Sequence, residues 1–246
     1  MTTRALSFDT AADRYAANRP SYPPHLFDAV EALAGRALAG ARLADVGAGT
    51  GLATASLHAR GARVVAVEPG AAMAARLRRD LPAVPLLRGD GNRLPLASGS
   101  QDVLTYAQSW HWTDPAAAAA EARRVLRPGG ALALWWNHFD TSHAWLADQD
   151  ARTTRFLGAG DGAGHDARLP TDDLPADLRP VRRRLRWSRR VSLDTHLANL
   201  GSHSAFLVRG DDGRAFLAEE RARLARLFPQ GTVEEHYVVH LSVART

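Results

Sequence analysis

The 246 residues contain no cysteine, which excludes disulfides, thiolate catalysis and cysteine-ligated zinc. They contain no lysine either. Every basic side chain is therefore arginine, and both a phosphate-loop lysine and a Tyr-x-x-x-Lys pair are missing. No apolar run reaches the ~20 residues that span a bilayer, and the first five residues open without a secretory apolar region. A cytoplasmic protein with no membrane contact is the expectation. No histidine pair at zinc-helix spacing falls on a predicted helix, so no metal site is expected. The net charge is +5. A charge excess alone does not make a nucleic-acid surface, which needs a clustered patch interleaved with exposed aromatics, and no nucleic-acid partner is expected.

What is present is an α/β pattern arranged around one short stretch. Leu43, Ala44 and Val46 form an apolar approach that runs into Gly47, Gly49 and Gly51. Leu52 to Leu57 then begins a helical pattern. Strand, glycine turn and helix start together make a nucleotide-type loop, because glycine permits close main-chain approach and the helix start presents unpaired N–H groups. The spacing is G-x-G-x-G rather than the G-x-G-x-x-G of dinucleotide sites, and no G-K-[ST] follows. About twenty residues on, Val64–Val67 reads as a second strand ending at Glu68, whose carboxylate can accept both hydroxyls of a ribose.

The remaining chain alternates apolar runs with helical runs, as a parallel sheet covered by helices does. Helices are predicted over 25–38 and 71–80, and short strands over 84–87 and 103–107. Asp114-Pro115 supplies an N-cap and a first-turn proline for an alanine-rich helix, which Pro128-Gly129-Gly130 stops before a strand over 131–136. Residues 141–157 and 192–209 read as helical, 158–180 as a glycine-rich loop, 214–228 as an amphipathic helix and 235–244 as a final strand. Residues 181–191 alternate Val181, Leu185, Trp187 and Val191 with Arg182, Arg184, Arg186 and Arg190, a strand with one solvated basic face.

Asp45-Val46-Gly47-Ala48-Gly49-Thr50-Gly51 with Glu68-Pro69, Leu94 to Leu104 and Leu126-Arg127-Pro128-Gly129-Gly130 resembles the class I S-adenosylmethionine-dependent methyltransferases, in particular the small-molecule, type 11-like subgroup. The resemblance covers 41–136 closely and both ends loosely. It implies a Rossmann-like, seven-stranded, mostly parallel sheet with helices on both faces, an antiparallel last strand and an N-terminal helical cap. It implies S-adenosyl-L-methionine as cofactor, S-adenosyl-L-homocysteine as product and a small-molecule acceptor methylated at oxygen, nitrogen or carbon. Cofactor contacts are then expected from Asp45, Gly47, Ala48, Gly49, Gly51, Glu68 and Pro69. Further contacts are expected from Met73, Asp90, Gly91, Asn92, Gln108 and Ser109, with Asp90 accepting from the adenine amine. Tyr15 and Arg19 are expected at the methionine end, within a segment, 7–23, that closes over the site. Met73 is equally a core residue by pattern, and a plain Asx-turn is the alternative for Asp90.

Methyl transfer from a sulfonium needs alignment and exclusion of water, and a general base only where the acceptor carries a proton near neutral pH. His111 and His138, both at strand ends, are the candidate catalytic bases. Trp110, Trp112, Trp135, Trp136 and Phe139 are candidates for an apolar acceptor pocket. One domain over 1–246 is expected: cap and first helix in 1–40, cofactor core in 41–137, and substrate-side elements in 138–246. A monomer or homodimer is expected. The alternatives are a silent S-adenosylmethionine-binding protein and a nicotinamide-dependent oxidoreductase. The glycine spacing and the missing Tyr-x-x-x-Lys pair oppose the latter.

Overall fold

The computed structural model describes residues 19–158, 174, 178–203, 206 and 208–246. Tyr15 and most of the predicted closing segment lie outside these residues. Helix α1 (Pro24–Ala34) leads into β1 (Arg42–Val46), α2 (Leu52–Ala59), β2 (Arg63–Val67), α3 (Ala71–Asp80) and the two-residue β3 (Leu86–Leu87). Then come β4 (Gln101–Ala107), α4 (Pro115–Val125), β5 (Leu126–Phe139), α5 (Ala144–Leu157), β6 (Val181–Ser192), α6 (Leu193–Gly201), α7 (Gly210–Leu227) and β7 (Thr232–Arg245). The sheet order is β3-β2-β1-β4-β5-β7-β6, and β7 runs antiparallel to both β5 and β6. This is the Rossmann-like arrangement that the resemblance implies.

The sheet has two covered faces because its central strands are apolar on both sides. One face carries Leu43, Val103, Ala133, Trp135 and Val239 against Leu26, Phe27 and Val30 of α1. The other carries Ala44, Leu104, Tyr106, Leu134 and Trp136 against Ala118, Ala119 and Ala122 of α4. Helix α4 begins as its sequence predicts. Pro115 takes the first turn, and the Asp114 carboxylate accepts a hydrogen bond of 2.8 Å from the Ala117 amide. Helix α1 is shorter than its apolar pattern, ending at Gly35, which takes φ +67° and closes the last turn onto the Glu31 carbonyl.

Two strands depart from expectation. The third has only two residues, and the proline at position 85 has no N–H to give a longer ladder. The fifth begins at Leu126, earlier than predicted, because Gly129 and Gly130 are paired by the Thr246 backbone. Strand β6 is the sheet's edge, with Arg182, Arg184, Arg186 and Arg190 exposed. Its other face is only half-buried at Leu185, Trp187 and Val191, and Val181 is exposed.

The topology places the helices of the second half. Strands β5 and β6 end, and β7 begins, at the carboxyl edge of the parallel strands. Helices α5, α6 and α7 adjoin those three ends, so all of them lie at the edge where open α/β sheets hold ligands.

Candidate cofactor and acceptor site

The loop after β1 is held from below and open above. The amides of Gly47 and Ala48 donate to the Val67 carbonyl at 2.8 and 3.1 Å, tying the loop to the end of β2. Gly47 has φ +68°, and a Cβ there would lie 2.5 Å from the Ser109 Cβ. Ser109 occupies that space because its hydroxyl donates to the Val46 carbonyl at 2.5 Å. Gly49 differs. At φ +59° it too sits in the left-handed region, but a Cβ there would meet nothing within 4 Å. Gly47 is thus required by the protein's own packing, and Gly49 faces open space above the loop.

Asp45 lies beneath the loop. It is fully buried, and its two oxygens accept from the hydroxyls of Thr54 at 2.6 Å and Thr105 at 2.8 Å. Burial raises its carboxyl above the ordinary value, against the lowering effect of those two hydrogen bonds. It therefore joins β1 to α2 and β4, and in this arrangement presents no group to a ligand. Glu68 is nearly buried as well. One oxygen accepts from the Gly49 amide and the other from the Gly70 amide, both at 2.7 Å. The carboxylate thus braces the loop after β1 against the start of α3.

Pro69 is half-buried beside it, and Met73 is buried on the inner side of α3 with Ala74 and Leu77. The Asp90 Oδ1 accepts from the Asn92 amide at 2.8 Å, an Asx-turn, while Oδ2 has no hydrogen bond among the described residues. The Asn92 side-chain oxygen is taken by the Asp114 amide at 2.8 Å, so Asn92 clasps this turn to the start of α4. Gly91 is packed tightly: a Cβ there would come within 2.7 Å of Thr113 and 3.0 Å of the Tyr106 ring.

Gln108 follows β4 with φ +58°, a conformation that costs a non-glycine residue about 1 kcal/mol or more and that clusters at functional sites. Its amide donates to the Trp135 carbonyl at 2.9 Å, and its side-chain NH2 donates to the Tyr22 hydroxyl at 3.1 Å. The Tyr22 ring packs edge-on against Trp135, with centroids 5.7 Å apart. Arg19 is half-buried three residues upstream.

The two candidate bases share the opposite face. His111 is exposed, and its Nδ1 faces the Trp136 indole N–H at 3.4 Å. An accepted hydrogen bond there occupies the lone pair that a neutral imidazole would use as a base. His138 follows Trp136 by two residues, so strand alternation puts it on the α4 face beside His240, with ring centroids 5.5 Å apart. Of the predicted aromatics, Trp110, Trp135 and Trp136 are core, Trp112 is half-buried, and Phe139 reaches the far end of β5.

Past that end lies a buried polar cluster that local sequence patterns do not reveal. Glu235 on β7 is fully buried. Its carboxylate accepts from Arg189 Nε at 2.5 Å and the Tyr237 hydroxyl at 2.7 Å, and faces His196 Nδ1 at 2.8 Å. A carboxylate only accepts, so His196 carries its proton on Nδ1 and turns Nε2 to the Gln149 amide at 3.0 Å. Burial would raise the Glu235 carboxyl, but its hydrogen bonds and the charges of His196 and Arg189 hold it below the ordinary value. Burial and this carboxylate push the Tyr237 phenol up. Above it, Phe139, Tyr237 and Trp187 stack across β5, β7 and β6 with centroid separations of 4.9 Å for both pairs. The signal available to a sequence reader was weak: Glu235 and Tyr237 fall on the buried phase of an otherwise apolar alternation.

Residues 44–134 match the model of a methyltransferase domain. The chain carries a class I S-adenosylmethionine-dependent methyltransferase domain. The matched segment holds the loop, Glu68, Asp90 and Gln108, and the family implies S-adenosylmethionine as its cofactor. An uncharacterised methyltransferase of Mycobacterium tuberculosis is 44% identical over 144 residues, which is 58% of this chain and 57% of that protein. The chain thus spans little more than half the length of this relative. A demethylmenaquinone methyltransferase of Beutenbergia cavernae is 38% identical over 96 residues, 39% of this chain and 40% of that one. A solved structure from Anaeromyxobacter dehalogenans, described as a candidate type II methyltransferase, covers 92% of this chain and 97% of its own at 26% identity with a TM-score of 0.69. Among the described residues no helix is long and apolar enough to cross a membrane, and no cluster of His, Asp or Glu could hold a metal.

Proposed function

We propose that the chain transfers a methyl group from S-adenosylmethionine to a small molecule at the carboxyl edge of the sheet. The observation that carries this reading is the Glu68 carboxylate set 2.7 Å from the Gly49 amide, with open space over Gly49. An anionic hydrogen-bond acceptor beside a loop that leaves room for a ligand fits a ribose better than a phosphate, which a carboxylate would repel. When bound, the cofactor supplies an electrophilic methyl on a sulfonium with a neutral thioether as leaving group.

The chain's own residues then bind and orient. Glu68 would take the ribose hydroxyls, the free oxygen of Asp90 the adenine amine, and the main chain of Gly47, Ala48, Gly49 and Gly51 the cofactor's near side. Met73 and Pro69 flank the adenine, while Gln108, Ser109 and Arg19, with Tyr15 from outside the described residues, serve the methionine end. The Gln108–Tyr22 hydrogen bond fixes the wall between cofactor and acceptor. In-line alignment and exclusion of water then suffice without a dedicated base. His111 and His138 lie across the sheet from Tyr22 and Trp135, and the reading gives neither a required proton-transfer role.

Calorimetry with S-adenosylmethionine, S-adenosylhomocysteine and NAD, followed by turnover with a metabolite pool, tests this. Binding of the first two together with S-adenosylhomocysteine release is expected. Binding of NAD alone would make the chain an oxidoreductase, and cofactor binding without release would make it a silent binding protein.

A further inference from the structure

Strand β5 turns Trp135, Asn137 and Phe139 toward the face that carries Tyr22. Asn137 is half-buried, and its Oδ1 accepts from the Trp187 indole N–H at 2.9 Å. An indole nitrogen is a donor only, so the atom opposite it must be the amide oxygen, and the orientation of the amide is settled by chemistry. The other end of that amide, Nδ2, is buried and has no hydrogen-bond partner among the described residues. The Trp135 indole N–H, two residues earlier on the same face, is likewise buried and unpartnered. Both orphaned atoms are donors with no accepting capacity. Buried donors without partners are uncommon, and leaving one unmade is costly, so a donor-only pair next to a binding edge calls for an oxygen that the described residues do not provide.

Resting on the methyltransferase reading, we propose that Asn137 Nδ2 is the recognition group for the methyl acceptor, and that the acceptor is an aromatic or otherwise flat apolar molecule bearing a carbonyl or phenolate oxygen. The flat body follows from the neighbours. Trp187, which orients Asn137, is stacked on Tyr237, and Tyr237 on Phe139, a rigid aromatic bank beside the amide. Gln108 and Tyr22 stand on the cofactor side of the same face. An acceptor oxygen bonded to Asn137 would place the rest of the molecule between that bank and the end of β4.

Acetophenone and α-methylstyrene test this, because they differ only in a carbonyl oxygen against a methylene. Their affinities are read from the Trp187 indole N–H resonance in protein saturated with S-adenosylhomocysteine. The wild-type protein should prefer acetophenone by about twofold to twelvefold, the range of one neutral hydrogen bond. In Asn137→Asp the oxygen facing Trp187 is kept while the donor becomes an acceptor, and the preference should vanish or reverse. Trp187→Phe, which lets the amide turn over, should reduce the preference without abolishing it; its binding is read from the Gln108 side-chain amide. General damage to the fold lowers both affinities together and leaves their ratio unchanged. Equal wild-type affinities, no binding of either probe, or an unchanged ratio in Asn137→Asp would overturn the proposal. Failure of S-adenosylhomocysteine itself to bind would instead overturn the methyltransferase reading.

Discussion

The glycine-loop edge of the sheet and the helices after β5 are built by different means. Around β1, β2 and β4 the shape comes from the main chain: glycine φ angles, amides paired with Val67, and Glu68 accepting from two backbone N–H groups. Around β7 it comes from side-chain charge. Glu235, His196, Arg189 and Tyr237 share one buried cluster, and Arg152 forms a two-pronged pair with buried Glu220 at 2.5 and 2.8 Å. The first construction suits a site for one invariant ligand, since it leaves few side chains to vary. The second joins separate helices to the strand that backs the aromatic bank, at a distance from the loop.

The largest effect expected is on the second region. Glu235→Ala leaves half-buried Arg189 and buried His196 without the Glu235 carboxylate and should cost about 3–5 kcal/mol, the usual range for breaking a buried pair. Urea melting measures the loss. Hydrogen exchange should show it in α6 and β7 while the Gly47–Gly51 loop keeps its protection; equal loss in both would mean that the two regions are one cooperative unit.

Two glycines sharpen the comparison within the loop. Gly47→Ala forces a Cβ onto Ser109 in a left-handed conformation and should destabilise by about 2–4 kcal/mol. Gly49→Ala meets no neighbour and should cost only about 1 kcal/mol of strain, yet lose most of its S-adenosylmethionine affinity. Thermal melts and calorimetry on the pair should therefore rank them in opposite orders.

Glu68→Ala should weaken S-adenosylmethionine by about 1.5–3 kcal/mol, the range for hydrogen bonds to a charged group. Unchanged affinity in the folded variant would remove Glu68 from the site.

The smallest effects have opposite signs in the two regions. The Glu235 carboxyl is held below its ordinary 4.5, so its contribution is present above that pH and is lost as pH falls through the folded value. The Asp45 carboxyl is raised above its ordinary 3.8, so the folded state is favoured at low pH and loses that advantage as pH rises through the folded value. Asp45→Asn should change stability at pH 7 by less than about 1 kcal/mol, since a neutral amide oxygen can still accept from one threonine. Denaturation curves from pH 3 to 7 on Asp45→Asn and Glu235→Gln check both signs.

The same difference explains what was legible in the sequence. The loop, Glu68 and the Asp114 cap rest on neighbours in the chain or on a fixed spacing, and the sheet order followed from the family resemblance those residues carry. The Asp45–Thr105 bond spans 60 residues and Gln149–His196 spans 47, and no local pattern encodes such partners. His138 is a subtler case. Its position at a strand end was readable, but the face it takes depends on the phase of β5, and that phase is set by Trp135 packing on Tyr22 and Phe27. Strand β3 is shorter than its apolar run predicts because the proline inside that run has no N–H to pair.

Strand β6 is made before the strand it pairs with. It ends at Ser192, β7 begins at Thr232, and the sheet order gives β6 no other neighbour. On a ribosome that adds ~5–20 residues per second, a finished strand must stay exposed for several seconds while β1 to β5 already have partners. An apolar strand in that position would pair with whatever chain came by. The exposed arginines along β6 keep it hydrated and repel another copy of itself, so the charge that decorates the finished edge also protects the nascent chain.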